Sequence, residues 1–436
     1  ILTRDWSSDV CSSDLLTLAD LTSEQLAGKR VVMRVDYNVP FNKEGKISNN
    51  QRIEATIPTI NEIFEKGANS LVLLSHLGRP MGRVEAKSSL KPVAERLQEL
   101  IKKPVQFIPD CIGPEVDAAV AHPAKGAIIL LENVRFHIEE EGSGLDANGN
   151  KIKADKAAVE AFCAKLTTYG DVYINDAFGT AHRAHASMVG VKLPIRAAGN
   201  LIKKELDAFV PVLEKPTRPL LSILGGSKVT DKIKLIKNLL DKVDEMIITG
   251  GMVYTFMKVG YGVNIGNSLF DEKGAEIVPE LLKKAQEKGV KLYLAVDFMC
   301  GDAYKQDCNT KVFTLEEGIP EGWMGLDAGP KTIETYKEAI ANANTIIWNG
   351  PAGVYEWEKF QTGTRAILDA VAAAKQRGAL AVIGGGDCAT CAMNWGYTDK
   401  LSHISTGGGA SLQLLEGGEM PGLVALSDKQ DRKSVV

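Results

Sequence analysis

The chain has 436 residues, of which 44% are hydrophobic and 24% charged, and its formal net charge is −4. This length exceeds the size at which a single hydrophobic core stops growing, so we expect two domains. The composition is that of an ordinary globular protein. The small negative charge argues against a nucleic-acid partner. No apolar run approaches the roughly 20 residues of a membrane span, which argues against a membrane partner.

The first residues lack the basic and then apolar pattern of a signal peptide, so we expect a cytoplasmic protein. The 7 cysteines are too scattered for a disulfide framework, and we expect them to stay reduced. Segments 1–15 and 431–436 have no apolar periodicity and resemble translated adapter sequence. We therefore predict that both are non-native tails and exclude them from the fold.

Nine short apolar runs predict buried strands, and nearly every one ends in a glycine-rich, polar or charged cluster. In chain order the runs span 31–35, 70–74, 128–131, 172–174, 220–224, 246–248, 291–296, 345–348 and 380–383. Helical patterns lie at 53–66, 90–102, 154–167, 229–243, 275–288, 332–342 and 363–377. This alternation predicts an α/β protein with two doubly wound, mainly parallel sheet domains joined by a hinge helix.

A helical pattern at 200–213, followed by two prolines, separates two regions of different composition. Nine arginines lie between residues 16 and 198, but only three between 199 and 427. Five of the 6 histidines also lie in the first region. We therefore predict an N-terminal domain at 16–198, a connecting hinge helix at 199–214 and a C-terminal domain at 215–430.

Ligands of open α/β sheets bind outside the carboxyl ends of the strands. In the first region these ends are rich in Arg and His, which indicates a site for a small anion, because Arg binds phosphate and carboxylate in bidentate fashion. The polar residues close behind the strands are Asp36, Asn38, Arg52, His76, Arg79, Arg135, His182 and Arg183. The alternatives are compositional drift that places arginines on solvated helix faces, and histidines that are satisfied structural residues.

In the second region the strand ends are rich in Gly and Asp. The segment GGSKVTDK (225–232) follows a predicted strand and opens a predicted helix, whose N-terminus favours anions and on which Lys228 and Lys232 would share one face. The alternative is a tight turn before an amphipathic helix. Asp387, at the end of GGGD (384–387), lies where a Mg²⁺-nucleotide needs an oxygen ligand.

Two common nucleotide motifs are missing from this sequence. Neither G-x-x-x-x-G-K-[ST] nor a strand-terminal G-x-G-x-x-G followed by an acidic residue occurs, which disfavours a P-loop enzyme and a standard dinucleotide-binding protein. Cys388 and Cys391 have metal-ligand spacing, but no matching second pair accompanies them, so buried thiols are the favoured interpretation.

Nine motifs, in this order, resemble the phosphoglycerate kinase family from about residue 16 to residue 429. They are RVDYNVP, NNQRI, SHLGRP, LLENVRF, NDAFGTAHRAH, GGSKVTDK, WNGPAGVYE, GGGDCAT and STGGGASLQLLEG. The resemblance implies a cytoplasmic, monomeric kinase of glycolysis and gluconeogenesis with no nucleic-acid or membrane partner. It would transfer a phosphoryl group reversibly between 1,3-bisphosphoglycerate and ADP, giving 3-phosphoglycerate and ATP. The transfer would be in line, would follow domain closure and would use Mg²⁺ as cofactor.

By motif position, the resemblance implies specific site residues. Substrate binding falls on Asp36, Asn38, Arg52, His76, Arg79, Arg135, His182 and Arg183. Nucleotide binding falls on Lys228, Lys232, Gly251, Gly325, Asn349, Glu356, Gly385, Gly386, Asp387 and Cys388. Arg52, Lys228 and Lys232 would be catalytic, and Asp387 would hold Mg²⁺.

At two positions this sequence differs from the residue that is usual in the family. Thr249 stands where a first glycine is usual and would crowd the nucleotide pocket, and Cys388 stands where Thr or Ser is usual and would weaken a phosphate hydrogen bond. Neither change removes a charge, so we expect altered nucleotide affinity and retained activity. The sequence disfavours two other functions. The intact Arg52, Lys228, Lys232 and Asp387 argue against a nucleotide-binding scaffold without turnover, and the missing G-x-G-x-x-G motif argues against an NAD-dependent dehydrogenase.

Overall fold

The computed structural model describes residues 14–429, which form two compact units. Among these residues the first unit contains 14–207 and 419–429, and the second contains 208–418. The C-terminal boundary therefore differs from the predicted one at 430. After residue 418 the chain returns to the first unit, where Gly422 N donates to Ala181 O at 2.8 Å and Ser427 N donates to Arg196 O at 2.8 Å.

The first unit contains eight strands. They are β1 (Arg30–Arg34), β2 (Ser70–Leu74), β3 (Val105–Ile108), β4 (Ala127–Leu131), β5 (Ser143–Leu145), β6 (Lys151–Lys153), β7 (Val172–Asn175) and β8 (Ile195–Ala198). Six of them form one parallel sheet in the order β3-β4-β2-β1-β7-β8, and β5 and β6 pair as an antiparallel hairpin. The apolar runs are buried on both faces of the sheet, as expected for parallel strands covered by helices. The short strands β3 and β8 were not predicted.

The second unit contains the remaining nine strands. They are β9 (Leu220–Leu224), β10 (Glu245–Ile248), β11 (Lys291–Tyr293), β12 (Asp297–Gly301), β13 (Thr310–Thr314), β14 (Met324–Ala328), β15 (Thr345–Asn349), β16 (Leu380–Gly384) and β17 (His403–Ile404). The main sheet is parallel, in the order β11-β10-β9-β15-β16-β17. The predicted strand at 291–296 ends at Tyr293, and the following strands form a separate antiparallel sheet in the order β13-β12-β14.

Helices connect the strands in both units. The first nine are α1 (Ser23–Leu26), α2 (Gln51–Glu54), α3 (Ile57–Glu65), α4 (Lys91–Ile101), α5 (Pro114–Ala121), α6 (Ile138–Glu141), α7 (Lys156–Thr167), α8 (Ala186–Val189) and α9 (Asn200–Glu214). The others are α10 (Ile233–Leu240), α11 (Met252–Tyr261), α12 (Glu272–Ala275), α13 (Val278–Glu287), α14 (Pro330–Asn342), α15 (Thr362–Gln376), α16 (Gly386–Asn394), α17 (Gly409–Leu415) and α18 (Pro421–Val424). The prediction of an α/β protein with two mainly parallel sheets is thus confirmed.

Helix α9 occupies the predicted connecting segment, and the boundary between the two units falls inside it. Its first turn is bound to the end of β7. Asp176 Oδ1 accepts hydrogen bonds from Leu201 N at 2.9 Å and Ile202 N at 3.3 Å, and Asp176 Oδ2 accepts one from Thr59 Oγ1 at 2.5 Å. A buried carboxylate that follows a strand therefore caps the helix N-terminus.

The predicted N-terminal tail at 1–15 is wrong at its inner end. Leu15 is 2% exposed and forms an antiparallel bridge with Asp428, so it belongs to the native packing of the first unit. The rest of the tail prediction, residues 1–13 and 431–436, lies outside the described residues. Within residues 14–429 the six cysteines are free thiols, and none of the helices is both long enough and apolar enough to cross a membrane.

Candidate active site

The carboxyl ends of four neighbouring strands bring the polar segments of the first unit together. Strands β4, β2, β1 and β7 are adjacent and parallel, so the chain leaves all four at the same edge of the sheet. Asp36 and Asn38 follow β1, His76 and Arg79 follow β2, Arg135 follows β4, and His182 and Arg183 follow β7. We call this edge the anion site.

Arg52, from helix α2, reaches the same edge through an ion pair with Asp36. Its Nη1 lies 2.8 Å from Asp36 Oδ2, and its side chain is 32% exposed. His76 Nε2 lies 3.9 Å from Asp36 Oδ1 on the other side of the carboxylate. Since a guanidinium has five N–H donors, this single ion pair leaves Arg52 able to bind an anion as well.

Arg34, which the sequence analysis did not choose, is the buried centre of the site. It is 0% exposed and donates from Nε to Ser187 Oγ at 2.7 Å, from Nη1 to Val35 O, and from Nη2 to His76 Nδ1 at 3.2 Å. Its Nη2 also lies 4.0 Å from Glu140 Oε1, whose side chain is equally buried. The only feature of the sequence that could have identified Arg34 is its position as an arginine within an apolar strand, two residues before Asp36.

Three histidines of the site have lowered pKa values. Burial, with the positive charge of Arg34, holds the pKa of His76 well below its usual value. Burial and Arg183 lower the pKa of His182, and burial and Arg135 lower that of His185 to about 3. All three are neutral near pH 7, when each ring carries one N–H donor.

His182 and His185 each have a buried Nδ1 atom with no hydrogen-bond partner among the described residues. Buried polar atoms are normally paired, so two such atoms at one strand edge indicate a place for a polar ligand. His185 was not chosen from the sequence, although it stands three residues after His182 in the same motif. Its imidazole lies 4.0 Å from Glu140 Oε1 and 3.8 Å from Glu141 Oε1.

Arg135 and Asn38 both contact the loop at Gly78. Arg135 Nη1 donates to Gly78 O at 2.9 Å, and Gly78 N donates to Asn38 Oδ1 at 2.9 Å. Arg135 Nε also lies 3.4 Å from Glu141 Oε1. These contacts fix the loop that carries the next residue, Arg79.

Arg79 and Arg183 have exposed side chains at this edge. Burial is the main cause of the lowered pKa values of His182 and Arg135, and Arg183 is close enough to contribute to both. The anion site thus combines buried, hydrogen-bonded side chains with exposed guanidinium groups that are available to a ligand.

Glycines shape the corresponding edge of the second unit. Gly225 follows β9 and donates from N to Asn349 O at 2.9 Å, and a Cβ atom at this position would lie 2.0 Å from Pro351 O. Gly350 has φ +99°, which favours glycine, and Gly385 has φ +93°. The loops after β9, β15 and β16 can therefore approach one another closely and expose backbone to a ligand.

These loops enclose a cavity of about 240 Å³ whose walls include Gly226, Lys228, Lys232, Asn349, Gly385, Gly386 and Asp387. Lys232 is half-buried in it and donates from Nζ to Asn349 O at 2.9 Å and to Asn349 Oδ1. Burial lowers the pKa of Lys232 to about 8. Lys232 is therefore mostly protonated at neutral pH, but its pKa lies much closer to neutral pH than that of an ordinary lysine.

The prediction that Lys228 and Lys232 share a helical face is wrong. Residues Thr230–Lys232 form a 3-10 turn, and helix α10 begins only at Ile233. Lys228 lies before this turn with an exposed side chain, whereas Lys232 is held by Asn349. Both lysines line the same cavity, Lys228 as an exposed point charge and Lys232 as one held in place by Asn349.

A second cavity, of about 490 Å³, adjoins the first and shares Gly226 and Asp387 with it. Its walls include Gly251, Tyr254, Leu269, Tyr304, Gly325, Leu326, Val354 and Glu356. A Cβ atom at Gly325 would lie 2.2 Å from Tyr254 Oη, so the glycine is required by the neighbouring tyrosine. A mostly apolar cavity next to a glycine-rich polar one suits a planar base attached to phosphates.

Asp387 lies in the first turn of α16, exposed, where both cavities meet. Its Oδ1 accepts a hydrogen bond from Tyr355 Oη at 3.3 Å. Magnesium in nucleotide sites is commonly bound by one or two carboxylates together with substrate phosphates. The exposed carboxylate of Asp387, beside the glycine-rich loop after β16, fits that requirement.

Thr249 and Cys388 are both buried. Thr249 is 1% exposed, and its side chain hydrogen-bonds Tyr336 in the core, so the expected crowding of the pocket is wrong. Cys388 is 0% exposed to solvent but forms part of the wall of the 240 Å³ cavity, and its Sγ accepts a hydrogen bond from Gly350 N at 3.1 Å. The thiol is thus engaged with the backbone of the neighbouring loop.

The sequence and the structure are both similar to those of known proteins. The family model for phosphoglycerate kinase matches residues 20–418. A phosphoglycerate kinase of Hypocrea rufa is 60% identical over 94% of this chain and 98% of its own length, and phosphoglycerate kinase 1 of Homo sapiens is 57% identical over 95% and 99%. The solved structure of phosphoglycerate kinase from Coxiella burnetii is 37% identical, with a TM-score of 0.81 over 94% of this chain and 98% of that one.

Proposed function

The chain belongs to the phosphoglycerate kinase family, and we propose that it performs the family's glycolytic reaction by positioning and charge stabilisation, without a general base. The reaction is the reversible transfer of a phosphoryl group between 1,3-bisphosphoglycerate and ADP, giving 3-phosphoglycerate and ATP. The acceptor in the ATP-consuming direction is a carboxylate. It is already ionised at neutral pH, so no proton has to be removed from it.

The lowered pKa values of the histidines in the anion site are the observation that supports this mechanism. A general base works best when its pKa lies near the working pH. Burial and neighbouring arginines lower the pKa values of His76, His182 and His185, the last to about 3. These imidazoles are poor bases near neutral pH, but they remain good hydrogen-bond donors to a phosphate or carboxylate.

In the proposed binding mode, 3-phosphoglycerate occupies the anion site. Its phosphate and carboxylate are bound by the exposed Arg79 and Arg183, by the buried Arg135, and by His76 and His182. Arg52, partly exposed beside Asp36, stabilises the charge of the phosphoryl group in transfer. Asn38 holds the Gly78 loop in place through its side-chain oxygen.

The nucleotide occupies the two joined cavities of the second unit. Its base lies between Gly251 and Gly325 near Glu356, and its phosphates lie at the loops after β9 and β16, where backbone N–H groups and a helix N-terminus favour anions. Lys232 binds the phosphates and Lys228 the transferring phosphoryl group. Asp387 holds Mg²⁺, which when bound neutralises phosphate charge and orients the phosphates.

The two sets of residues lie on different units, so the proposed in-line transfer requires the units to close. We propose that residues 199–214 act as the hinge, because the boundary between the units falls within helix α9. Closure would also keep water from the reactive acyl phosphate. The enzyme is proposed to act as a monomer in the cytoplasm, where glycolytic substrates are available.

A coupled assay that follows 3-phosphoglycerate-dependent consumption of Mg-ATP tests the reaction. Glycerol 3-phosphate is a matched control, because it has the phosphate but offers a hydroxyl in place of the carboxylate. We expect turnover with 3-phosphoglycerate and none with the hydroxyl acceptor, since no positioned base is available to activate it. Comparable rates with both acceptors would contradict the mechanism without a base.

A further inference from the structure

Three side chains of metal-ligand type meet in the first unit, and none of them belongs to the anion site. Ligand atoms of Asp110, Cys111 and His137 all lie within 4.8 Å of one another, and they are the only such group among residues 14–429. We propose that Cys111 Sγ, His137 Nε2 and a carboxylate oxygen of Asp110 bind a borderline-soft divalent cation of the Zn²⁺ class. Water would complete the tetrahedral site.

The positions of the three residues follow from the sheet. Asp110 and Cys111 follow β3, and His137 caps the 3-10 helix Val134–Phe136 that follows β4. Strands β3 and β4 are adjacent and parallel, so both segments leave the sheet at one edge. The three residues thus come together although 26 positions separate Cys111 from His137.

Hydrogen bonds to other parts of the unit fix the backbone of each candidate ligand. Asp110 O accepts from Glu132 N at 3.3 Å, and Cys111 O accepts from Tyr169 Oη at 3.1 Å. His137 O accepts from Glu140 N at 3.2 Å. The three residues would stay close together without a cation, which lowers the entropy lost when one binds.

The ligand atoms, which lie within 4.8 Å of one another, have to adjust when a cation binds. His137 Nε2 now lies 2.7 Å from Asp110 Oδ1, whereas two ligands at zinc distances are separated by about 3.3 Å in a tetrahedron. Asp110 Oδ1 also accepts hydrogen bonds from Cys111 N at 2.6 Å and Ile112 N at 3.4 Å, so the carboxylate, which is 51% exposed, would rotate out of these contacts to separate from His137. Cys111 is buried and His137 is 24% exposed, so the cation would enter from the side of Asp110.

The chemistry of the donors selects the cation. A thiolate and an imidazole together favour Zn²⁺ or Co²⁺, while Mg²⁺ prefers oxygen ligands in octahedral geometry. Binding converts the Cys111 thiol to a metal-bound thiolate and releases its proton to solvent. The site is therefore chemically distinct from the carboxylate of Asp387 that we assign to Mg²⁺.

Cobalt titration of the chelator-treated full chain tests the proposal, because a thiolate ligand gives Co²⁺ a charge-transfer absorption that oxygen ligands do not. We expect this absorption in wild type, its loss in Cys111→Ser, and its retention in Cys308→Ser, a buried cysteine of the other unit. Added Zn²⁺ should bleach the signal stoichiometrically and raise the melting temperature, whereas Mg²⁺ should do neither.

A second variant tests the proposal even if Cys111→Ser does not fold. His137→Gln replaces a partly exposed ligand, and we expect it to weaken Co²⁺ binding by more than about 100-fold, beyond the range seen for outer-shell partners, with an unchanged melting temperature in the absence of metal. The proposal is overturned if wild type shows no thiolate absorption, or if Cys111→Ser or His137→Gln binds Co²⁺ as wild type does.

Discussion

Arg34 Nη2 lies 3.2 Å from His76 Nδ1, and both side chains are buried at the anion site. Because the guanidinium can only donate, Nδ1 of His76 must accept, which places the ring proton on Nε2, on the side of Asp36. One buried arginine therefore sets the tautomer of a histidine that we assign to the substrate. The same arginine lies 4.0 Å from the buried carboxylate of Glu140.

Replacing Arg34 should destabilise the first unit. Arg34→Met leaves Glu140 buried without its cationic neighbour, and breaking a buried ion pair in this way costs about 3 to 5 kcal/mol. The double variant Arg34→Met, Glu140→Gln should recover part of this loss. Chemical denaturation measures both effects, and a loss below about 1 kcal/mol in the single variant would show that the pair contributes little.

Arg52→Ala and Lys228→Ala should each lower kcat by about 100-fold or more, the scale for removing a donor aimed at developing charge, with smaller effects on substrate binding. Arg218→Ala and Lys234→Ala are matched controls, since these are exposed cations outside both sites. Steady-state kinetics with 3-phosphoglycerate and Mg-ATP give the result. A kcat close to that of wild type in Arg52→Ala would remove that residue from the mechanism.

The activity should depend on the charge of Lys232 at alkaline pH. Burial lowers the pKa of this lysine to about 8, so the cation is present below that pH and is lost as the pH rises through it. We expect kcat/KM for Mg-ATP to fall above pH 8 in wild type. Lys232→Arg, which stays charged, should lack this fall even if its activity is lower; an identical alkaline fall would assign the titration to another group.

Leu15→Ala should lower stability although it lies in a segment that the sequence suggested was foreign. Truncating a buried leucine typically costs about 2 to 5 kcal/mol, and Leu15 is 2% exposed. Val84→Ala, at a residue that is 82% exposed, should change stability by less than about 0.5 kcal/mol. Equal thermal stability of both variants would mean that the segment contributes nothing to folding.

Cys388→Thr should leave the KM for ATP near its wild-type value. The side chain is buried and its Sγ accepts from Gly350 N, so a threonine hydroxyl would replace that contact and would not add one to a phosphate. Steady-state kinetics at fixed 3-phosphoglycerate measure the effect. A KM lowered by about tenfold or more, as one charged hydrogen bond could produce, would show that the side chain turns toward the nucleotide.

The sequence alone was sufficient for the fold class and for most of the candidate site residues. Apolar runs of strand length that alternate with helical patterns require parallel sheets, and ligands bind where such strands end. His76, Arg135, Lys228 and Asp387 could be chosen for this reason, because each follows a strand closely. These residues can be identified from the sequence because each lies within a few positions of the strand that it follows.

Only the tertiary structure decided which side chains meet and which are buried. Arg34 lies inside a strand, and its partners Glu140 and Ser187 come from helices α6 and α8, so its role depends on contacts between residues 106 and 153 positions apart. Thr249 was expected to crowd the nucleotide pocket but is buried against Tyr336, whereas Cys388 lies in the wall of the glycine-rich cavity with its Sγ hydrogen-bonded to Gly350 N. Burial and long-range contact also set the pKa values of His76 and Lys232, since desolvation is determined by the assembled unit and not by the neighbouring residues in the chain.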